Sequence, residues 1–176
     1  MVDKVVHAKV ADVIFAQLSK DADLYNEIME ICRREKIKTG YILSLVGGLC
    51  KARLSMPIEP TVSEAPPGVR EFEGLMECSG VGMIGQTLET YDSEGTSGIL
   101  YKEGDPNLHI HLTITVAGET FMGHLIEGCI VRSLHAQSHF TIAIAKVEGA
   151  TLNFKVSPER TERYPRGIPI HELIDK

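Results

Sequence analysis

Long apolar runs are missing from this 176-residue chain. Stretches such as Tyr41–Leu43 and Leu45–Val46 stop after a handful of residues, whereas a spanning helix needs ~20. No transmembrane segment and no membrane partner are therefore expected. The opening MVDKVVHAKVADVIF mixes charges into its apolar residues and lacks a small-residue cleavage site, so no secretory leader is expected either. Cysteine is sparse and scattered: Cys32, Cys50, Cys78 and Cys129 lie 18, 28 and 51 apart, without a CxxC pair or a His at zinc-finger spacing. That excludes a thiolate zinc module and a thioredoxin-type motif. The four thiols are expected as small buried hydrophobes in a reducing compartment, which predicts a cytoplasmic protein. Positive charge is not in excess, since 18 Lys+Arg against 24 Asp+Glu leave a net charge of −6. Duplex binding rests on Lys and Arg neutralising phosphates, so composition argues against strong nucleic-acid binding. No Ser/His/Asp order, phosphate-binding Gly-rich loop or HExxH is present.

The chain has an ordinary soluble composition, 43% hydrophobic and 24% charged. Its length suits a single domain over 1–176, burying about 70% of the unfolded surface. Val5 to Leu18 reads as a strand with a bend near Asp12. Ser19 to Asp23 offers helix N-caps. Leu24, Ile28, Ile31 and Cys32 then form one stripe of an amphipathic helix ending near Lys36, with Thr39-Gly40 closing it. From Tyr41 the signals are β: Tyr41–Val46, Leu49–Met56, Phe72–Met83, Leu108–Val116, Thr120–Val131, Phe140–Val147 and Leu152–Val156. Pro57–Gly68 and Tyr91–Asn107 read as long loops that are functional, flexible or hold a short unrecognised element. The expected fold is α+β, a mainly antiparallel sheet of about seven strands flanked by one main helix.

Chemistry concentrates in PNLHIHLTITVAGETFMGHLIEGCIV, Pro106 to Val131. Leu108, Ile110, Leu112, Ile114 and Val116 occupy even positions; His109, His111, Thr113 and Thr115 occupy odd ones. That period of two is a strand with one buried face, and it projects both histidines from the other. A two-residue turn at Ala117-Gly118 pairs Val116 with Glu119, which sets His111 opposite His124 and His109 opposite Ile126. Cross-strand neighbours have Cβ atoms ~5 Å apart, so three imidazoles converge. A three-residue loop would instead turn His124 to the other face. Three neutral imidazoles suit zinc or another late first-row divalent ion, with an open position for water. Cupin barrels also use His-x-His, but with a Glu four or five residues later, where this chain has Thr115 and Val116.

Other residues carry weaker signals. His135 and His139 stand four apart, a helical metal spacing, but the following residues read as strand, so surface or interface positions are the competing assignment. Glu127 falls on the opposite face of a regular strand from His124. Asp92, Glu94, Glu103 and Asp105 make the second long loop acidic, which is expected as solvation, with a substrate or metal role as the competing assignment. Residues 158–176 read as a C-terminal arm, in which Tyr164 to Pro169 with Arg160, Arg163 and Arg166 resembles a segment that packs on a neighbour.

Four blocks in order, YILSLVGGLCKARL, REFEGLMECSGVG, NLHIHLTI and MGHLIEGCIV, resemble the plants-and-prokaryotes-conserved (PPC) domain. The resemblance is strongest over residues 4–157. It implies an α+β fold assembled as a homotrimer, a DNA-binding or regulatory function, and a His cluster able to hold zinc at His109, His111 and His124. The chain departs from the family at HAQSHFTI (His135–Ile142), where His139 replaces an acid, and at the longer Tyr91–Asn107 loop. It also lacks the Arg-Gly-Arg-Pro core of an AT-hook. The alternative is a metal-dependent enzyme that uses the open coordination position on a small molecule. Phe140–Val147 is nearly free of charge on both faces, as expected if each is covered, which agrees with a trimer.

Overall fold

A computed structural model describes residues 3–57, 68–92, 99–132, 139–161 and 167–175. The first strand, β1 (Lys9–Leu18), carries the expected irregularity as a register shift between Val10 and Asp12. Helix α1 (Leu24–Arg34) follows, with Asp23 as N-cap: its side chain accepts from the Asn26 N–H, satisfying a donor the first turn leaves open. Leu24, Ile28, Ile31 and Cys32 are all buried, as their spacing requires. The helix ends earlier than Thr39-Gly40. Lys36 takes the left-handed conformation (φ 53°), while Gly40 already begins the next strand. A Cβ at Gly40 would meet the Ala145 carbonyl oxygen, so this glycine serves close strand approach rather than helix termination.

Strand β2 (Gly40–Met56) joins two segments that the sequence separates at Gly47-Gly48. Those glycines lie within the strand because the Phe140 ring and the Arg132 guanidinium occupy the space a Cβ would need. The remaining elements are β3 (Gly68–Thr87), β4 (Tyr91–Asp92), β5 (Leu100–Tyr101), β6 (Pro106–Val116), β7 (Glu119–Leu125), β8 (Ile130–Val131), β9 (Phe140–Glu148), β10 (Ala150–Val156) and β11 (Pro169–Asp175). Among the described residues nine strands, rather than about seven, form one sheet, and β4 and β5 form a separate small ladder inside the second long loop. The sheet is mixed, because β10 runs parallel to β3 at Asn153↔Gln86 and Phe154↔Thr87. Residues 169–175 of the C-terminal segment pair with β10 of the same chain.

The long β2 strand organises this sheet. One edge pairs with β3; the other meets β9, then β8, then β7. Since β3 also pairs with β6, and β6 with β7, the path β2–β3–β6–β7 returns to β2. The even-numbered face of β6 supplies buried Leu108, Ile110, Leu112 and Ile114, which pack with Met76, Cys78 and Ile84 of β3 in one core. Fully burying each such aliphatic side chain contributes about 1.5–3 kcal/mol. The core therefore fixes which way β6 faces, and with it where His109 and His111 stand. Three of the four thiols are buried as expected; Cys50 is exposed.

Candidate metal centre

Ala117 and Gly118 both adopt positive φ (51° and 83°), the backbone of a two-residue hairpin whose twist matches its strands. The register is Val116↔Glu119 through His111↔His124, as the two-residue turn requires. On the far side of β7, Ser55 pairs with His124. A Cβ on Gly123 would lie 2.9 Å from both Leu54 Cβ and the Ser55 carbonyl oxygen, so the close approach of β2 behind His124 needs glycine here. The ladder ends at His111↔His124, leaving His109 beyond the last paired residue of β7.

The three imidazoles converge. Ring centroids lie 5.3 Å apart for His109 and His111, 4.8 Å for His109 and His124, and 4.6 Å for His111 and His124. One ligand atom from each falls within 4.8 Å of the other two, and Nε2 of His109 is 3.2 Å from Nε2 of His111. Two nitrogens sharing a tetrahedral ion at ~2.0–2.1 Å each would stand ~3.3 Å apart, so this spacing fits. The donor set, nitrogen without thiolate, suits zinc or a neighbouring first-row ion.

Burial pushes His109 down to about 4, with His124, His171 and His111 adding repulsion against a second positive charge. His124 is also lowered, by burial and then by His111. Both rings are therefore neutral near pH 7, with lone pairs free to coordinate.

His139 precedes β9, is exposed and does not belong to the cluster. His135 and Glu94 lie outside the described residues. Glu127 accepts from the Asn26 side chain at 3.1 Å and Asp105 pairs with Arg33 at 3.1 Å, so each acid serves local structure. His171, outside the hairpin that carries the other three, lies against the cluster: its Nε2 is 3.0 Å from Nδ1 of His109. Nothing in the pattern around position 171 marks it; the contact spans 62 residues and exists because β11 joins the sheet.

Comparisons with known proteins agree with this architecture. A family model described as the Plants and Prokaryotes Conserved (PCC) domain matches residues 6–137. A metal-containing protein from Archaeoglobus fulgidus superposes with a TM-score of 0.68 at 17% identity, covering 95% of this chain and 99% of that one. A plant- and prokaryote-conserved protein from Pyrococcus horikoshii gives 0.64 at 18%, covering 96% of each chain. A candidate DNA-binding protein from Bacteroides thetaiotaomicron gives 0.60 at 14%, covering 93% and 94%. Among curated proteins, the bifunctional protein GlmU of a Synechococcus strain is 29% identical over 110 residues, which is 62% of this chain but 13% of that protein.

Proposed function

The chain belongs to the Plants and Prokaryotes Conserved domain family, and from that premise we propose that it is a metal-holding binding or regulatory protein. The observation that carries the proposal is the 3.2 Å approach of two Nε2 atoms beside a third imidazole on one sheet face. His109, His111 and His124 would hold one divalent ion, with zinc the best match to the donors. Held there, such an ion would act as a Lewis acid or polarise a bound water.

Direct DNA binding is weak in this proposal. Ion pairs occupy Arg33, Arg34, Lys51, Arg53, Arg132 and Lys155, each with a carboxylate partner, and the net charge is −6. Six of the 18 Lys and Arg side chains thus already face carboxylates, and the excess of acids opposes tracking of a phosphate backbone. A cytoplasmic location remains part of the proposal, as does one domain over 1–176.

The homotrimer also belongs here, supported by what lies beside the histidines. Val13 pairs with Ala145, Ala145 with Tyr41, Tyr41 with Met83, and Met83 with His109, so these side chains share one face. Val13, Tyr41 and Met83 are exposed, as are Phe15 and Val81. An apolar surface this continuous favours burial against further copies, and cyclic symmetry would close the contact with the histidines near its border. A second function, metal-dependent catalysis on a small molecule, is favoured by the exposure of His124 and the partial exposure of His111, which leave a side of the cluster open to solvent.

Elemental analysis of protein purified without chelator tests the central proposal. One ion per chain is expected, and none in a triple His109→Ala, His111→Ala, His124→Ala variant. Equal metal in both proteins would refute it.

A further inference from the structure

His109 has a different partner at each ring nitrogen. Its Nε2 faces Nε2 of His111 at 3.2 Å, inside the cluster; its Nδ1 faces Nε2 of His171 at 3.0 Å, toward the C-terminal strand. An imidazole that ligates through Nε2 must carry its single proton on Nδ1, and that N–H needs an acceptor. His171 Nε2 stands within hydrogen-bond reach of it. The same placement keeps His171 out of the ligand set, because its Nε2 lies on the side of the His109 ring away from the cluster.

His171 is itself held in place. It pairs directly with Phe154 across β10 and β11, and the two rings meet edge to face, centroids 4.5 Å apart at 66°. Phe154 is buried, so it forms a fixed wall. A diagonal ion pair between Lys155 and Glu172 joins the same two strands beside it. His171 Nε2 is an acceptor when the His171 proton sits on its own Nδ1, and packing on Phe154 holds the ring where that lone pair faces His109.

We propose that His171 is the positioning residue of the metal centre: with its own proton on Nδ1, its Nε2 accepts a hydrogen bond from Nδ1–H of His109 and so holds the ring plane in which His109 ligates. The C-terminal strand is thereby part of the site. This inference rests on the three-histidine metal proposal. Outer partners of ligating histidines typically contribute about 10–100-fold to metal affinity, because they hold the ring orientation and raise its basicity.

Zinc titration in competition with a chromophoric chelator tests it on wild type, His171→Ala and His171→Gln. The alanine variant should bind zinc about 10–100-fold more weakly while still reaching one ion per chain. The glutamine variant, whose Oε1 can accept from Nδ1–H, should recover most of that loss. Wild-type affinity in His171→Ala would overturn the positioning role and leave the three-histidine site standing. Loss of all binding at saturation, in a variant whose far-UV circular dichroism is unchanged, would make His171 a ligand and overturn the proposal as well. A wild type that takes up no zinc would instead overturn the three-histidine proposal itself. Long-range ¹⁵N–¹H correlation spectra of the zinc-loaded wild type give a readout that depends on no variant's folding. His109 should show a protonated Nδ1, and a proton on its Nε2 would overturn the assignment.

Discussion

Acid should weaken the metal-free protein through His109, and the size of the effect follows from its surroundings. Its pKa falls from an ordinary 6.5 to about 4, first through burial and then through repulsion from His124, His171 and His111. Because the folded value lies below the unfolded one, the unfolded chain binds more protons between pH 6.5 and 4. Stability is therefore full above about 6.5 and is lost as pH falls toward 4. Without screening, going from pH 7.5 to 5 would cost about 2 kcal/mol from a shift of this size. The ring is only partly buried, so solvent screening reduces the expected loss to about 1 kcal/mol. His124 and His171 are lowered too and push in the same direction, so the contribution of His109 must be taken as a difference. Urea unfolding in EDTA, at pH 7.5 and 5 and at one protein concentration, should show wild type losing about 1 kcal/mol more than His109→Gln. Equal losses in the two proteins, or a wild type that gains stability at pH 5, would refute the reasoning.

Three further outcomes are expected. Gly123→Ala should lower stability by about 1–3 kcal/mol, because its Cβ would meet backbone and Cβ atoms of β2 that cannot rotate away; an unchanged urea midpoint would contradict the close approach. At physiological salt, a fluorescence anisotropy titration should show mixed duplex DNA bound no more tightly than ~10⁻⁴–10⁻⁶ M, and submicromolar binding to one defined sequence would contradict the electrostatic argument. Light scattering behind a sizing column should give the mass of three chains; that of a single 19.4 kDa chain would refute the assembly.

The core of the site was legible because strand chemistry is periodic. Alternation in Leu108–Val116 assigns a face to His109 and His111, and a two-residue turn at Ala117-Gly118 carries that face across to His124. No long-range knowledge is needed, since the three histidines lie on one hairpin. His171 is the opposite case: its position depends on β11 pairing with β10 and on β10 lying parallel to β3, contacts between distant segments that no local pattern encodes. Glycine misled for a related reason. Gly40 and the Gly47-Gly48 pair resemble punctuation, yet they sit inside β2 where Ala145, Phe140 and Arg132 crowd the backbone, while Lys36 takes the left-handed position after the helix. Composition marks most of the β strands, but their number depends on β8 and β11, each too short or too polar to stand out, and their mixed direction on the distant pairing of β10 with β3.

Zinc K-edge X-ray absorption on the loaded protein examines the proposed metal centre most directly. Three imidazole nitrogens at ~2.0–2.1 Å from each ion are expected, reduced in number by His111→Ala. A sulfur shell at ~2.3 Å, or oxygen neighbours with no imidazole scattering, would contradict a centre built from His109, His111 and His124.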